Sequence, residues 1–212
     1  EKRKLSYPES VERLREAVLE EFARISREAE ARVLCEALEI TDESWRNAVE
    51  GYLNTQRFYL LVEPENFDIA LGTYDRLRRE KKAYGVGLIN ARGLEQYDKA
   101  PEGTLASVVT SKNPYARRFV NMVLGKVQMC SRYEDLKKYP VSITRECMKY
   151  QNRVASAIRP EIFRVPFIGQ NAFKVQLEQA KTERKELESL VGELEGRLEN
   201  LERVTGFLSI ED

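Results

Sequence analysis

The side chains best suited to catalysis are few and scattered in this sequence. Histidine is absent, which removes histidine-dependent acid–base chemistry, histidine metal ligation and Ser-His-Asp arrangements. The three cysteines, Cys35, Cys130 and Cys147, lie far apart and form no CxxC motif, so we expect reduced, partly buried thiols. Carboxylates are plentiful, yet no DxD, P-loop or nucleophile-elbow motif is present. We therefore predict no catalytic residue, no cofactor and no metal site.

Glycines mark a second kind of candidate, a surface where two backbones approach closely. Gly85-Val86-Gly87 falls within a β-prone run, and Gly125-Lys126-Val127 joins a predicted helix to a predicted strand. A strand edge beside small residues can accept a strand from a partner. Tight turns and a helix C-cap are the alternative explanation of these glycines. A phosphate loop is disfavoured, because GxG here lacks the third glycine and the following helix.

Lysine and arginine side chains in the second half of the chain's middle region could contact phosphate groups. Lys112, Arg117 and Arg118 cluster at a predicted helix start. The other candidates are Lys126, Lys149, Arg153, Arg159 and Arg164. Solvated surface charge is the alternative, since the chain's 35 basic and 35 acidic residues cancel and any preference for DNA must be local.

A strand–helix–strand unit is predicted to position the first glycines. The β-prone run 57–63 leads through an amphipathic helix over 67–77 to a second strand over 84–90. Such a βαβ unit places its two strands parallel.

A second, shorter unit of the same kind is predicted near the basic residues. Strands over 126–130 and 141–144 flank a short helix over 132–139, which a capping box of Ser131 and Glu134 would begin. A helix that starts at Asn113-Pro114 and ends at Gly125 precedes this unit.

Both ends of the chain carry helical patterns. Between residues 173 and 208, apolar positions recur at steps of four and three over about five heptads, which predicts a coiled-coil helix. Its polar exceptions, Arg184 and Thr205, would fix register. A shorter apolar face follows Ser10 and continues toward residues 33–38.

We expect coiled-coil arms over 1–30 and 171–212 and a middle domain over 31–170. The two arms should pack antiparallel against each other within one chain, because both leave the middle domain. A surface helix of the middle domain is the alternative for the first arm, and pairing between chains is the alternative for both.

The middle region resembles the hinge domain of SMC proteins. The resemblance is carried by Trp45–Leu53, the following run 55–62, and Phe119–Val127. More closely, the segments 54–58, 148–152 and 164–170 resemble the hinge of the JetC family. These are the MukB- and MksB-like SMC ATPases of bacterial Wadjet anti-plasmid systems. The similarity covers about residues 31–171, and a MksB- or MukB-type chromosome-segregation hinge is the nearest alternative.

The resemblance implies an α/β hinge of two related subdomains, flanked by antiparallel coiled-coil helices, that joins two chains into a homodimer. The dimer-interface candidates are Gly85, Val86, Gly87, Gly125, Val127 and Gly169. The DNA-binding candidates are Lys112, Arg117, Arg118, Lys126, Lys149 and Arg153.

The resemblance also implies that the wider molecule lies outside this sequence. The ATPase heads and the sites for kleisin and other subunits would belong to a longer chain, from which we expect this piece was excised. We expect a cytoplasmic, nucleoid-associated protein with no membrane segment. A small metal-dependent hydrolase with helical extensions is the alternative of a different class.

Overall fold

Apolar spacing and end signals define the helices of this chain. The computed structural model describes residues 7–80 and 83–208. The α-helices within that part are α1 (Glu9–Arg24), α2 (Arg46–Leu53), α3 (Phe67–Arg79), α4 (Pro114–Leu124), α5 (Pro160–Phe163) and α6 (Gln170–Leu208). The Asn113 side chain caps α4 by accepting hydrogen bonds from the amides of Tyr115 and Ala116, as expected for this residue type before a proline.

Short strands form three small sheets. The strands are β1 (Ala31–Val33), β2 (Glu39–Ile40), β3 (Leu60–Val62), β4 (Leu88–Ile89), β5 (Val109–Thr110), β6 (Gln128–Cys130), β7 (Val141–Thr144), β8 (Met148–Gln151) and β9 (Val154–Ala157). The sheet orders are β1-β3-β4, β2-β5 and β6-β7-β8-β9. The chain divides into two units, Glu1–Phe173 and Lys174–Asp212, and all three sheets belong to the first.

The first predicted strand–helix–strand unit is confirmed. β3 and β4 pair in parallel, with Leu60 opposite Leu88, and α3 connects them. One detail of the prediction is wrong, because β4 contains only two residues and the Gly85-Val86-Gly87 run precedes it. Gly85 has a φ of +75°, a left-handed conformation that suits a bend rather than a strand.

The second unit is also present, with a different connection. β6 and β7 pair in parallel, with Met129 opposite Ile143. Between them lies a 3₁₀ helix, Tyr133–Lys138, whose N-cap residue is Arg132 and which has no side-chain capping bond. The predicted capping box at Ser131 is therefore wrong. Six residues bounded by Pro140 favour the tighter 3₁₀ turn, which proteins use in short pieces.

The apolar stripe predicted to continue a helix through residues 33–38 belongs to other elements. β1 pairs antiparallel with β3, and a 3₁₀ helix, Leu34–Ala37, follows it. The apolar residues of the stripe, Val33, Leu34 and Leu38, are buried. Burial alternates along β1, however, as it does in a strand. The β8–β9 hairpin is a further element that the sequence pattern does not predict. Its two-residue turn, Asn152-Arg153, has φ values of 53° and 63°, as a type I′ turn requires.

The first helix contributes to the core of the first unit. Val11, Leu14, Val18 and Phe22 form one face of α1, all at 3% exposure or less, and α1 packs beside α3. Burying each such side chain stabilises a fold by roughly 1.5–3 kcal/mol. The alternative interpretation of this segment, a surface helix of the central domain, agrees with this burial. The antiparallel pairing of the two terminal helices stays a prediction.

Candidate dimer edge and basic surface

The outer edge of β9 is open for strand addition. Ile158 N–H donates to Cys147 O, and the register continues with Lys149 opposite Ser156. In an antiparallel ladder, hydrogen-bonded pairs alternate with non-bonded pairs, so Ala155 and Ala157 direct their N–H and C=O groups away from β8. β9 is also exposed, with Val154 at 61%. Its small side chains would let another backbone approach closely.

The second open edge is β4. Leu60 N–H donates to Gly87 O, so Gly87 faces β3 and the next residue, Leu88, directs its backbone outward. Leu88 is half-buried and Asn90 beyond it is exposed. This edge adjoins the predicted Gly85–Gly87 surface.

The remaining edges of these two sheets are partly closed from within the chain. On β1 the outward N–H of Val33 donates to the Glu36 carboxylate at 3.3 Å. On β6 Met129 N–H donates to Gly103 O at 3.0 Å. Native proteins commonly cover edges in this way. β4 and β9 are therefore the better candidates for pairing with a second chain.

The predicted interface residues differ in what they contact. A Cβ on Gly87 would lie 2.7 Å from the Tyr59 ring, so this glycine permits close packing within the chain, whereas a Cβ on Gly85 would meet nothing within 4 Å. Val86 and Val127 are buried, at 6% and 0% exposure. The side chains of Val86 and Val127 therefore pack in the protein interior and are not exposed at the predicted dimer interface.

Gly125 and Gly169 also have close neighbours in their own chain. Gly125 ends α4, as predicted, and a Cβ there would lie 3.1 Å from Cδ of Pro101. Gly169 has a φ of +87°, and a Cβ there would lie 2.6 Å from the Glu39 carboxylate. Both positions are therefore explained by local packing, and an additional role at an interface stays a prediction.

Two of the predicted DNA-binding arginines are engaged within the chain. Arg118 donates to the Asp98 carboxylate at 2.5 Å, and this hydrogen bond raises the pKa of its guanidinium. Arg117 reaches the backbone oxygen of Ala106 at 3.4 Å, and burial lowers its pKa. Lys112 and Lys126 are exposed on either side of α4.

Other basic residues gather at the β8–β9 hairpin. Lys149 lies on β8, Arg153 in the turn, and Arg159 follows β9. Among the residues that the structure describes, none of these three forms an ion pair with an acidic side chain. Their charge is thus available to an external anion, unlike that of Arg118.

A buried ion pair, which no sequence pattern predicts, joins Glu50 and Arg57. Glu50 on α2 is fully buried, and its Oε1 accepts hydrogen bonds from the amides of Phe167 and Ile168, both at 2.7 Å. Arg57 donates to Glu50 Oε2 at 2.8 Å and to Ile162 O at 2.7 Å. The pair therefore holds the segment 162–168, which leads into α6, against α2. Glu50 and Arg57 are seven residues apart, but the backbone groups that they hold lie more than 100 residues further along the chain, which local pattern cannot reveal.

The structure also bears on the other kinds of site. Within residues 7–80 and 83–208, no three histidine, cysteine, aspartate or glutamate side chains are grouped as a metal site would need. In the same part of the chain, no helix has the length and apolar character of a membrane span.

Comparisons with known proteins identify the fold. The hinge domain of Geobacillus stearothermophilus SMC, solved as an asymmetric dimer, matches with a TM-score of 0.53 at 12% identity, over 90% of this chain and 78% of that one. The Schizosaccharomyces pombe Smc5/6 hinge matches with a TM-score of 0.52 at 13% identity, over 95% of this chain and 86% of that one. This is the fold of an SMC hinge domain. No protein-family model and no curated protein matches the sequence.

In this hinge fold the two related units occupy successive parts of the chain. The unit of β3, α3 and β4 comes first, and the unit of β6 and β7 is extended by the β8–β9 hairpin. The hinge fold therefore has one open edge in each of its two sheets with parallel strands, β4 in the sheet β1-β3-β4 and β9 in the sheet β6-β7-β8-β9.

Proposed function

We propose that this chain is the hinge of an SMC-like DNA-handling motor and joins two copies of itself. The observation that carries this proposal is the pair of open edges, β4 and β9, on a hinge fold. Strand addition satisfies exposed backbone groups that would otherwise bond only to water. The dimeric Geobacillus hinge supports the proposal by similarity of fold.

The two edges suggest a specific pairing. β9 of one copy would add to β4 of the other, and a two-fold axis would repeat the contact with the roles exchanged. A contact between two different surfaces closes in this way when each copy supplies both. Gly85, which is exposed and has open space around it, lies beside the β4 edge and leaves room for the incoming strand.

Cysteine cross-linking between two differently labelled chains tests this pairing. An Ala155→Cys chain mixed with a Leu88→Cys chain should form a disulfide-linked heterodimer under mild oxidation. The unsubstituted chain is the control, since its native thiols at 35, 130 and 147 are buried. A predominant link between two Ala155→Cys chains would instead indicate β9–β9 pairing and contradict the proposed arrangement.

DNA contact is a second function, favoured by the unpaired cations at the β8–β9 hairpin. Lys149 and Arg153 lie on the β8–β9 hairpin, Arg159 follows it directly, and none of the three has an acidic partner among the described residues. When a protein neutralises DNA phosphates, the logarithm of its binding constant falls linearly with the logarithm of the salt concentration. The slope for duplex DNA is about −0.9 per phosphate contacted. The proposal places the DNA contact at this hairpin rather than at α4.

Charge reversal distinguishes the two locations. Lys149→Glu/Arg153→Glu should weaken binding of a duplex oligonucleotide at least tenfold at low salt and reduce the salt slope. Lys112→Glu/Lys126→Glu is the matched control and should have the smaller effect. Reversal at Arg118 is a poor test because it also breaks the contact with Asp98. Equal losses in both double variants would contradict a site at the hairpin.

The finer assignment is also a proposal. The segments 54–58, 148–152 and 164–170 support a JetC-type hinge from a Wadjet anti-plasmid system, with a MukB- or MksB-type chromosome-segregation hinge as the alternative. ATPase heads, kleisin contacts and association with the nucleoid would belong to the longer protein. Finding a Walker A motif in the parent chain, far upstream of this region, would support the class. The metal-dependent hydrolase alternative has no candidate residues among those described.

A further inference from the structure

A cavity of about 220 Å³ lies between the end of α2 and the β8–β9 hairpin. It is lined by Gly51, Tyr52 and Asn54 at the end of α2 and by Lys149 and Ser156 of the hairpin. The other lining residues are Ala157, Ile158, Arg159 and Ile162. The cavity thus combines an apolar floor with two cationic side chains.

The β8–β9 ladder fixes which side chains line this cavity. Lys149 and Ser156 are directly opposite each other in the register, so their side chains lie on the same face of the sheet. Lys149 is half-buried, which places its stem against the protein and leaves the ammonium group beside the cavity. The hydroxyl of Ser156 adds a hydrogen-bond donor next to it.

The two cations at the cavity have no anion of their own. Arg15, Arg46, Arg92 and Arg118 all form ion pairs in this unit. In the described part of the chain Lys149 and Arg159 form none. Two unpaired cations beside one cavity favour a ligand with at least one negative charge.

The backbone at Asn54 is an independent sign of a built site. Asn54 has a φ of 48° and a ψ of −125°, a conformation that L-residues rarely adopt. Strained backbone of this kind is common at ligand-binding positions. Asn54 lines the cavity and is exposed, so its amide group is available as a further donor.

We infer that this cavity is a binding site for a phosphate group, with Lys149 and Arg159 as its charged ligands and Ser156 and Asn54 as its neutral donors. Its volume is below the range of about 300–1,000 Å³ typical of sites for drug-sized ligands, which favours a small oxyanion. An arginine and a lysine together suit a phosphate, which accepts several hydrogen bonds. This site shares Lys149 and Arg159 with the proposed DNA contact and does not depend on the pairing of two copies.

A titration with inorganic phosphate at constant ionic strength, followed by amide chemical shifts, tests the site. Saturable shifts should concentrate at residues 52–54, 149, 156 and 159, and Lys149→Ser/Arg159→Gln should weaken binding at least tenfold. Lys149→Arg should retain most of the binding, and Lys126→Gln, which removes a charge away from the cavity, should retain all of it. Overlay of the amide spectra shows whether each variant is folded.

A second titration, with a short DNA oligonucleotide, separates the two sources of phosphate. Phosphate and DNA binding lost together in Lys149→Ser/Arg159→Gln would place a nucleic-acid phosphate in the cavity. Loss of phosphate binding alone would indicate a free phosphate or phosphate ester. Shifts that do not saturate, that spread over lysines throughout the protein, or that persist in the double variant would overturn the inference.

Discussion

Glu50 and Arg57 form an ion pair inside the protein, with 2.8 Å between Glu50 Oε2 and Arg57 Nη1. The guanidinium also lies 4.8 Å from the ring centre of Phe58 and 5.0 Å from that of Phe167. The carboxylate and the guanidinium together hold the backbone at residues 162, 167 and 168. This pair therefore connects α2 with the segment that runs from the β9 edge to α6.

Removing Glu50 should be strongly destabilising. Glu50→Ala leaves the Arg57 charge and the amides of Phe167 and Ile168 buried without their acceptor. Breaking a buried pair in this way costs about 3–5 kcal/mol. Urea denaturation, followed by the fluorescence of the chain's one tryptophan, Trp45, measures the loss.

Glu43→Ala is the matched control for Glu50. Glu43 lies three residues before the start of α2 and pairs with Arg46, but its side chain is 58% exposed. Arg46 is only 11% exposed, but without Glu43 it keeps its hydrogen bond to Ile168 O, so we expect a loss of about 1 kcal/mol or less. Similar losses in Glu50→Ala and Glu43→Ala would show that burial of the Glu50 pair has no special role.

Alanine at Gly87 and at Gly85 should act through different causes. The added methyl at 87 would lie 2.7 Å from the Tyr59 ring, and overpacking of this kind costs about 1–3 kcal/mol. At 85 the space is open and only the left-handed backbone opposes the change, which costs about 1–2 kcal/mol. Adding Tyr59→Leu should relieve the first defect and leave the second unchanged. Thermal or urea unfolding of Gly87→Ala and Gly85→Ala, each with and without Tyr59→Leu, measures these effects. An equal effect of Tyr59→Leu on both glycine variants would contradict the two separate causes.

The start of α4 should depend on Asn113. Asn113→Ala removes an acceptor that serves two backbone amides, and losses of this kind are about 1 kcal/mol. Ser131→Ala is the control, because the structure gives Ser131 no capping role and surface changes usually stay within about 0.5 kcal/mol. A larger loss at Ser131 than at Asn113 would restore the capping box and contradict the observed 3₁₀ turn.

Stability should fall in alkaline solution. Burial raises the pKa of the Cys147 thiol to about 11, from an ordinary 9.0, and burial also raises the pKa of Cys35 and Tyr7. Between pH 9 and about pH 11, the Cys147 thiol loses its proton in the unfolded chain but keeps it in the folded chain. The contribution is therefore fully present below pH 9 and is lost as pH rises toward 11, at about 1.4 kcal/mol per pKa unit.

Urea midpoints at pH 8, 9, 10 and 11 measure this dependence. Cys147→Ala removes the titrating thiol, so it should flatten part of the decline. The same three native thiols should react slowly with a maleimide at neutral pH, because all are buried and protonated. A flat profile across this range would contradict the assigned pKa direction.

Much of the fold could be predicted from local pattern. The helix over 67–77 and the parallel pair β3–β4 follow from apolar spacing and from the order of elements, and the structure confirms both. The cap at Asn113 follows from a side chain that can accept from the next turn. These features depend on neighbours in the sequence, where periodicity and capping chemistry are informative.

The missed features depend on distant partners. β1 has the same apolar residues as a helix would, and only its pairing with β3 makes it a strand. The β8–β9 hairpin lacks the usual glycine in its turn, since Asn152 and Arg153 adopt the left-handed conformation instead. The Glu50 pair and the cavity beside α2 each bring residues of the segment 50–57 together with residues of the segment 149–168. Likewise, burial of Val127 follows from tertiary packing, which the sequence pattern did not reveal.

Sedimentation equilibrium of the unsubstituted chain and of Ala155→Pro tests the central claim, that two copies join through the β9 edge. Proline at 155 removes an outward-facing N–H without removing a bond to β8, and Ala155→Ser keeps that N–H as the control. Pairing through β9 predicts twice the 24.6 kDa chain mass for the unsubstituted chain and for Ala155→Ser at micromolar concentration, and a folded monomer for Ala155→Pro. A monomeric unsubstituted chain at tens of micromolar, a range of ordinary affinities, or an undiminished dimer of Ala155→Pro, would contradict it.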